Sequence, residues 1–434
     1  MTKMKVYDFI GIGIGPFNLS LAALADPIDS INGIFFEQEE KFIWHPGMLI
    51  EGTDLQSPFL ADLVTFADPT SPFTFLNYLH KHERLYAFYF FNRFAIPRRE
   101  YSDYCHWASQ QLSSCHFSKR VEDVKQLKDG TFEVKVRSLD NDETSIFHSK
   151  HIILGTGSVP MIPSDLDHDW PKSDVVHTSM YLDQEVAIKD GKSVTVIGSG
   201  QSAAEIFYDL LQDQKKRGYS LSWFTRSTGI FQKEDAKLGR EFFSPEYIDY
   251  FHQLDFPNRL EALDGLHQVR NGIDPEMLKK IYELLYHRSI PSEELSVTIQ
   301  PLTEANHVTK HDDGYQLSLR QWQMDKEFKH ISDKIVLATG YKPAIPEWIS
   351  RFADDIIWEA EKRFKVTEDY YIAFKKEQKN RIYTLTNLEH THGASATNLG
   401  LSVLRNQKII NSLAGKTIYP IPERSVFQQF SQDE

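Results

Sequence analysis

Three observations in the sequence predict an α/β fold. Residues 6–10 form a strand-like segment that leads into Gly11-Ile12-Gly13-Ile14-Gly15-Pro16, and residues 193–197 lead in the same way into Gly198-Ser199-Gly200-Gln201-Ser202. Each glycine turn is followed by apolar residues at helical spacing. At 434 residues the chain is longer than one hydrophobic core usually supports. We therefore expect two Rossmann-like dinucleotide-binding domains and a small helical insertion.

The segment between the two glycine turns has the pattern of β-structure. Apolar and polar residues alternate over 131–136, and turn residues flank this stretch at 129–130 and 140–141. Such alternation predicts a β-meander. The apolar run 152–157 is typical of a buried strand.

After the second glycine turn the pattern becomes helical. Residues 232–296 are polar with apolar residues at helical spacing, and Asp274 followed by Pro275 predicts an N-cap and the first position of a helix. The run 334–337 predicts one more parallel strand. We expect the tail, residues 427–434, to be frayed.

These patterns divide the chain into three regions. We assign residues 1–163 and 335–434 to the first nucleotide-binding domain, and residues 164–239 and 297–334 to the second. Residues 240–296 form the helical region, which is the candidate for binding a substrate.

The composition excludes several classes of function. The two cysteines, Cys105 and Cys115, form neither a CxxC motif nor a cluster with metal-ligand spacing, so we expect no disulfide scaffold, no metal and no disulfide-reductase chemistry. A net charge of −13 speaks against nucleic acid as a partner. No apolar run reaches the roughly 18 residues of a membrane span, and no secretory signal precedes the first strand. We expect a cytoplasmic protein without a membrane anchor.

The first glycine turn suits the pyrophosphate of a dinucleotide. Gly11, Gly13 and Gly15 allow the backbone to approach the phosphates, and the helix that begins at Pro16 offers free N–H groups. Glu37 closes the next strand, where an acidic side chain would bind the ribose hydroxyls. Because Pro16 stands where a third glycine is usual, a glycine-rich turn beside a surface glutamate is the alternative interpretation.

The second glycine turn predicts a second dinucleotide, and the residues after it favour NADPH. The strand 220–224 ends in Thr225-Arg226-Ser227 rather than in an acidic residue, and an arginine there suits the 2′-phosphate of NADP. A solvated surface charge is the alternative interpretation of Arg226. The candidate ligands are Gly198, Gly200, Gln201, Ser202, Glu205, Arg226 and Ser227.

Two dinucleotide sites on one chain imply that a hydride passes from nicotinamide to a second redox cofactor. FAD is the expected occupant of the first site. No CxxC pair or cysteine cluster is present to receive the electrons from it. Molecular oxygen is the remaining obvious acceptor.

An ordered set of motifs resembles those of a known family, the microbial N-hydroxylating flavin monooxygenases. These enzymes act on lysine, ornithine or aliphatic diamines in siderophore biosynthesis, and the similarity covers nearly the whole chain. The matching segments are Gly11-Ile12-Gly13-Ile14-Gly15-Pro16-Phe17-Asn18-Leu19, Trp44-His45-Pro46-Gly47-Met48, Leu55-Gln56-Ser57-Pro58-Phe59-Leu60-Ala61-Asp62-Leu63, Phe73-Thr74-Phe75-Leu76-Asn77-Tyr78-Leu79, Ala338-Thr339-Gly340-Tyr341 and Thr391-His392-Gly393.

This resemblance implies an activity and its cofactors. NADPH reduces FAD, oxygen adds at the flavin C4a position, and the hydroperoxide gives its distal oxygen to a neutral amine. The site must exclude water, and the amine, whose pKa in solution is about 10.4, must first lose its proton. Relatives are often tetramers, so we expect a homo-oligomer by analogy.

The resemblance also implies roles for individual residues. Gln56, near the isoalloxazine, and Asn271, which meets both substrate and NADP in relatives, are the expected catalytic positions, although a turn asparagine is the alternative for Asn271. Asn271 and Tyr341 join the expected NADPH ligands. The expected substrate-binding residues are Ala61, Arg240, Asn271 and Gly400. The expected FAD-binding residues are Gly11, Gly13, Gly15, Pro16, Glu37, Trp44, His45, Gln56, Thr156, Gly157, Thr339, Gly340 and Leu399.

Ala61 is the position that separates the possible substrates. The matching residue of the amino-acid hydroxylases is a lysine that pairs with the substrate α-carboxylate, and burying that carboxylate without a cation would cost on the order of several kcal/mol. We therefore expect an aliphatic diamine, putrescine first and cadaverine next. An L-lysine or L-ornithine N-hydroxylase is the alternative if Arg240 or Arg270 replaces the cation. Glu241, Asp62 or backbone oxygens are candidates to bind the second ammonium.

Two further alternatives come from other classes. A Baeyer–Villiger-type flavin monooxygenase would share both nucleotide motifs but lack the Trp44-His45-Pro46-Gly47 and Gln56 segments, and it would oxidise ketones or sulfides. A non-catalytic flavoprotein sensor would bind both dinucleotides without coupling NADPH oxidation to any hydroxylated product.

Overall fold

A computed structural model of the chain describes residues 5–166, 169–290 and 295–432, and it has the predicted α/β architecture. The strands of the described residues are β1 Val6–Ile12, β2 Gly33–Phe36, β3 Asp54–Pro58, β4 Ala95–Pro97, β5 Cys115–His116, β6 Lys119–Gln126, β7 Phe132–Ser138, β8 Thr144–Leu154, β9 Ser158–Pro160, β10 Val175–His177, β11 Ser193–Ile197, β12 Ser220–Phe224, β13 Val297–Gln300, β14 Thr303–His311, β15 Gly314–Gln321, β16 Lys326–Ser332, β17 Lys334–Leu337, β18 Tyr341–Pro343, β19 Trp358–Ala360, β20 Arg363–Phe364 and β21 Ile382–Thr384.

The helices lie mainly after the glycine turns and in the region before β13. They are α1 Pro16–Ala25, α2 Phe75–Lys81, α3 Leu85–Phe91, α4 Arg98–Gln111, α5 Tyr181–Lys189, α6 Gln201–Arg217, α7 Pro245–Gln253, α8 Phe256–Gly265, α9 His267–Asn271, α10 Pro275–Arg288, α11 Glu389–His392 and α12 Gly400–Ala414. Short 3-10 turns occur at Pro46–Met48, Ser164–Leu166, Thr178–Met180, Gly239–Phe242, Glu347–Phe352 and Gly393–Thr397. None of the described helices combines the length and the apolar character needed to cross a membrane.

The first glycine turn belongs to a seven-stranded sheet with the order β5-β2-β1-β8-β7-β6, in which β21 also pairs with β8. β1 lies between β2 and β8 and is parallel to both. The predicted meander stretch is β7, and the predicted buried strand is the end of the neighbouring strand β8. β8 pairs antiparallel with β7 through residues 144–149 and parallel with β21 through residues 152–154, where Ile152, Ile153 and Leu154 are buried.

The second glycine turn belongs to a five-stranded parallel sheet with the order β10-β17-β11-β12-β13. β17 differs from the sequence assignment, which gave residues from 335 onward to the first domain. Its backbone pairs with β10 and β11, so β17 belongs to the second sheet. The apolar run 334–337 indicates a buried strand, but its partner β11 lies about 140 residues earlier in the chain, and a local pattern cannot identify that partner.

The helical region is divided between two cores. α7, α8 and α9 pack around Tyr247, Phe251 and Leu266 and against Ala394. In contrast, α10 packs on α6 and contributes to the core of the second sheet. The predicted start of α10 is confirmed, because Pro275 is its first residue and the Asp274 carboxylate accepts a hydrogen bond from the Met277 N–H at 3.1 Å.

The prediction of a frayed tail is wrong for residues 427–430. The Glu241 carboxylate accepts hydrogen bonds from the backbone N–H groups of Phe427 at 3.2 Å and Gln428 at 2.9 Å. The Phe430 ring packs against Phe242 and Tyr247, with centroids 5.5 and 5.0 Å apart. The Glu241 carboxylate and the packing of Phe430 therefore anchor this segment. Residues 433 and 434 lie outside the described part of the chain.

Candidate active site

A cavity of about 1120 Å³ lies between the first glycine turn, β3, the helical region and the segment that leads into α12. It brings together many of the residues that the sequence singled out from distant parts of the chain. These are Gly15, Pro16, Glu37, Trp44, His45, Gln56, Ala61, Thr156, Gly157, Arg240, Tyr341, Leu399 and Gly400. Gly11, Gly13, Thr339 and Gly340 are not part of this lining.

The first glycine turn leaves the N-terminus of α1 open toward the cavity. Gly13 has a φ of +86°, and a Cβ built on it would lie 2.5 Å from the carbonyl oxygen of Gly155. Gly15 is the N-cap of α1, and a Cβ built on it would meet nothing within 4 Å. The Glu37 carboxylate at the end of β2 accepts a hydrogen bond from the Ile14 N–H at 2.7 Å. The turn therefore offers free N–H groups to an anion, with a carboxylate fixed beside it.

Different results are expected when an alanine replaces Gly13 and when it replaces Gly15. Gly13→Ala should destabilise the fold by about 3 kcal/mol or more, because the residue needs a positive φ and the Cβ meets a carbonyl oxygen. Gly15→Ala should fold normally but bind FAD about tenfold more weakly, because its Cβ enters the space left for the pyrophosphate. Denaturant unfolding and FAD titration of the apoprotein measure both effects. Equal FAD affinity for Gly15→Ala and the unchanged chain would contradict the second expectation.

Two of the buried polar atoms that have no hydrogen-bond partner among the described residues belong to predicted FAD ligands. They are Nε2 of Gln56, which lines the cavity, and Oγ1 of Thr339, at the end of β17. Buried polar groups are nearly always paired in native proteins, so a ligand or a water molecule is expected at each of these atoms. An open helix N-terminus, a carboxylate at the ribose position and an unpaired amide donor fit a flavin dinucleotide at this cavity.

His45 contributes a neutral imidazole to the cavity. Desolvation by burial, followed by the charge of Arg98, lowers the pKa of His45 to about 4. Its ring packs against Trp44 at 4.7 Å and Tyr341 at 5.6 Å between centroids. A neutral imidazole presents one donor and one acceptor, so His45 can hydrogen-bond a flavin without adding charge.

The pKa of His45 predicts a loss of stability in mild acid. The unfolded chain takes up this proton near pH 6.5 and the folded chain near pH 4, so stability falls as the pH drops through that window and levels off below it. The expected contribution is at most about 3 kcal/mol. His45→Gln should flatten this part of the pH profile in denaturant unfolding. If the slope between pH 7 and pH 5 is unchanged in His45→Gln, the titration of another group is responsible.

The second glycine turn forms a separate site on the second sheet. Gly198 has a φ of +147°, and a Cβ on it would lie 2.2 Å from the carbonyl oxygen of Ala338. Gly200 is the N-cap of the seventeen-residue α6, and a Cβ on it would meet nothing within 4 Å. Arg226 follows β12 with an exposed side chain, and its carbonyl accepts a hydrogen bond from Nε1 of Trp322 at 2.8 Å. The open helix end and the exposed guanidinium fit a phosphorylated dinucleotide.

Two predicted NADPH ligands in α6 have other partners. The buried Glu205 carboxylate accepts two hydrogen bonds from Arg98, both at 2.8 Å, and one from Gln201 at 2.9 Å. Oε1 of Gln201 accepts a hydrogen bond from the Asp274 N–H at 2.8 Å. Both side chains therefore connect α6 to neighbouring elements rather than facing a ligand. Arg98 lies 107 residues from Glu205 in the chain, so sequence spacing could not reveal the pair.

The predicted substrate residues Ala61 and Gly400 are neighbours in the cavity wall. Ala61 is buried, and a Cβ built on Gly400 would lie 3.2 Å from the Ala61 Cβ and 3.3 Å from the Phe66 ring. No cation comes from this part of the wall, since both residues are small and Phe66 is apolar. A long substituent at Ala61 would have to extend into the cavity.

The structure does not place Asn271 at the cavity. Its side chain is exposed at the end of α9, whereas Arg270 lines the cavity and forms an ion pair with Glu389 at 2.6 Å. Successive helix residues point about 100° apart, so only one of the two can face inward. Arg240, a predicted substrate-binding residue, lines the cavity and pairs with Asp235 at 3.0 Å.

The sequence did not single out four charged residues that line the cavity, Lys233, Lys342, Arg363 and Glu389. Burial, followed by the charge of Arg240, lowers the pKa of Lys233, which has no salt bridge to the described residues. Glu389 lies just before the Thr391-His392-Gly393 motif and has a half-exposed carboxylate. The position of Glu389 beside that motif was the one signal in the sequence that could have identified it. No comparable sequence pattern identifies Lys233, which lies in a loop.

The two acidic side chains proposed for a second ammonium are already engaged. The buried Asp62 carboxylate accepts hydrogen bonds from the backbone N–H groups of Val64, Thr65 and Phe75. Glu241 holds the C-terminal tail. Glu389 is the better candidate because it lines the cavity and its carboxylate, although paired with Arg270, is half-exposed.

The cysteines are unsuited to nucleophilic or redox chemistry. Both are free, and burial raises the pKa of Cys115 to about 12 and that of Cys105 well above its ordinary range. A thiol in this state carries almost no thiolate at neutral pH. In the described residues, no group of three or more His, Cys, Asp or Glu side chains is arranged to hold a metal ion.

Comparison with known proteins places this architecture among flavin enzymes. The family model for L-lysine 6-monooxygenase/L-ornithine 5-monooxygenase matches residues 5–343. The chain is 37% identical over 429 residues to a putrescine N-hydroxylase of Shewanella oneidensis, covering 98% of this chain and 84% of the relative. It is 34% identical over 436 residues to a putrescine N-hydroxylase of Acinetobacter baumannii, covering 99% and 95%.

Two solved structures share the fold over almost their whole length. FAD-bound DfoA, the cadaverine monooxygenase of the desferrioxamine pathway in Erwinia amylovora, superposes with a TM-score of 0.94 at 35% identity and covers 99% of both chains. The ornithine N-hydroxylase KtzI of Kutzneria sp. 744, with reduced FAD, NADP⁺ and L-ornithine, gives a TM-score of 0.88 at 26% identity, covering 95% of this chain and 99% of that one. The predicted resemblance and fold class are confirmed.

Proposed function

Because this chain belongs to the L-lysine 6-monooxygenase/L-ornithine 5-monooxygenase family, we propose that it N-hydroxylates one primary amine of an aliphatic diamine, putrescine first and cadaverine next. The chain is a flavin-dependent N-monooxygenase, with FAD and NADPH as cofactors and molecular oxygen as co-substrate. The proposed product is the N-hydroxy amine from which a hydroxamate siderophore is built. The observation that carries the choice of a diamine is the small, uncharged wall at Ala61 and Gly400.

Different residues of the cavity have different roles in the proposed reaction. Bound FAD would pass electrons from NADPH to molecular oxygen, which provides the one oxygen atom that the amine receives and the other that leaves as water. The open N-terminus of α1 and Glu37 hold the dinucleotide, and Gln56 provides an unpaired donor beside it. The cation Lys233 on the cavity wall disfavours the ammonium form of a nearby amine, because like charges lower the pKa of the protonated group. An amine bound beside Lys233 would therefore react in its neutral form, as nucleophilic attack requires.

Glu389 is the proposed partner of the second ammonium. It lines the cavity, its carboxylate is half-exposed, and its ion pair with Arg270 orients it. A diamine carries a charge at the end that does not react, and a carboxylate stabilises that charge in a partly buried site. Backbone oxygens are the remaining alternative.

Glu389→Gln should raise the KM for putrescine about tenfold and leave the KM for 1-aminobutane unchanged. The monoamine has the same chain length but lacks the second ammonium, so it does not need the carboxylate. Glu241→Gln is the matched control, because Glu241 binds the tail outside the cavity. Hydroxylamine formation under steady-state conditions measures both constants. An equal change for the diamine and the monoamine would mean that Glu389 acts on the structure of the site.

A direct assay tests the proposed function. FAD-loaded protein with NADPH is given putrescine, cadaverine, L-ornithine and L-lysine separately, and the hydroxylated product is quantified against NADPH consumed. Diamine hydroxylation without amino-acid hydroxylation is the expected result. If ornithine or lysine is preferred, a cation such as Lys233 or Arg240 serves the carboxylate and the diamine proposal is wrong. NADPH consumption without any hydroxylated amine, with ketones or sulfides oxidised instead, would favour the Baeyer–Villiger alternative.

We also propose that the chain forms a homo-oligomer, a tetramer by analogy with related flavin monooxygenases. Support comes from apolar surface that the folded chain leaves exposed, which is described below. The mass of the protein in solution tests this proposal.

A further inference from the structure

The helix α3, Leu85–Phe91, carries a cluster of exposed aromatic side chains. No residue of this helix is buried. The exposed fractions are 82% for Tyr86, 72% for Tyr89, 77% for Phe90 and 57% for Phe94, which follows the helix. Tyr86 and Phe90 are four residues apart and share one face of the helix. We call these four residues and the partly exposed Phe91 the α3 patch.

Aromatic contacts with the rest of the fold hold the α3 patch in place. Phe88 is the inward-facing residue of the helix, and its ring packs against Phe59 at 5.7 Å and Phe75 at 5.4 Å. Phe94 packs against Phe59 at 5.1 Å, and its carbonyl accepts a hydrogen bond from the Phe59 N–H at 2.8 Å. The patch is therefore a preformed surface, and binding to it requires little ordering of the chain.

We propose that the α3 patch is an interface between two copies of this chain. Buried aromatic side chains each cover about 150–250 Å², so the exposed fractions of the patch correspond to roughly 500–800 Å² of apolar surface. Two copies meeting through this patch would bury about 1,000–1,600 Å², which reaches the size of a standard stable interface. A two-fold axis brings the same surface of each copy together, so one apolar helix face is sufficient.

The charges around the α3 patch favour a second copy over a membrane. Arg84 at the start of the helix pairs with Glu100 at 2.6 Å, and Arg93 beyond its end pairs with Asp54 at 2.7 Å. The rim therefore has little net charge, whereas docking to an anionic lipid surface needs excess cations. The chain as a whole has a net charge of −13, so two copies repel each other least where an apolar surface has neutralised edges.

The test is the mass of the FAD-loaded protein, measured by light scattering and sedimentation over a range of concentrations. The Tyr86→Glu/Phe90→Glu variant should weaken self-association at this interface by about 100-fold or more. The substitutions place the negative charges of one copy opposite those of the other at the centre of the contact. Tyr282→Glu on α10 is the matched control, since Tyr282 is also a highly exposed helical tyrosine. Flavin absorbance and amine hydroxylation report whether the variants are folded.

Each outcome decides the proposal. An oligomer that dissociates in the α3 variant and persists in the Tyr282 variant supports it. An unchanged mass in the α3 variant, or dissociation by Tyr282→Glu alone, overturns the interface while leaving self-association intact. A protein that is monomeric at all concentrations overturns both the α3 interface and self-association. The same holds if that monomer binds vesicles of anionic lipid through α3. If the α3 variant fails to fold, hydrogen exchange of the unmodified protein decides, since residues 85–94 should be more protected at high than at low protein concentration.

Discussion

Ala61→Lys should lower kcat/KM for putrescine on the order of 100-fold, the largest change in specificity expected from one substitution. Ala61 is buried in the cavity wall against Gly400 and Phe66, so the new side chain must extend into the space that the substrate occupies. An ammonium there would share the cavity with the charged end of a diamine, and placing like charges together in a partly buried site costs several kcal/mol. The same cation would attract a carboxylate, so activity on L-ornithine should rise.

The control for this experiment is Ala61→Met, which adds similar length without charge. Steady-state hydroxylation of putrescine and L-ornithine by both variants separates the two effects. If methionine lowers putrescine turnover as much as lysine does, the lost volume is responsible and the charge argument fails. If lysine leaves putrescine turnover unchanged, the charged end of the diamine lies elsewhere in the cavity.

Local signals in the sequence predicted the parts of the site that depend on local geometry. Gly13 needs its positive φ and Gly15 leaves open space, so both are recognisable from the glycine spacing. The N-cap at Asp274 follows from the residue types at two adjacent positions. Glu37 lies at the expected distance along the chain and contacts the turn itself. In each case the sequence signal lies within about two dozen residues of the chain.

Interactions between distant segments could not be predicted in this way. β17 has the pattern of any buried parallel strand, and only its hydrogen bonds to β10 and β11 assign it to the second sheet. Asn271 and Arg270 are adjacent in the chain, but the phase of α9 places Arg270 at the cavity. Glu205 has the expected position along the chain for a ligand of the second dinucleotide. Its carboxylate is instead paired with Arg98, which belongs to the segment assigned to the first domain.

That pairing gives the second large effect: Arg98→Ala should destabilise the protein by about 3–5 kcal/mol. Arg98 contacts both oxygens of Glu205 and also donates to the Met48 carbonyl at 2.9 Å. The Glu205 side chain is completely buried, so removing the guanidinium leaves a buried negative charge with only Gln201 as a polar partner. Lysine is a poor substitute, because it cannot form the bidentate contact.

A double-mutant cycle separates the charge from the loss of packing. Arg98→Met combined with Glu205→Gln removes both charges while keeping most of the volume, and its free energy of unfolding should return toward that of the unchanged protein. Denaturant unfolding of all the variants measures this. If the double variant is as unstable as Arg98→Ala, the unpaired carboxylate is not the cause. Because α6 begins at the second glycine turn and its Glu205 is paired with the first residue of α4, displacement of the pair should also weaken NADPH binding in Arg98→Ala. In the double variant, NADPH binding should be nearly unchanged.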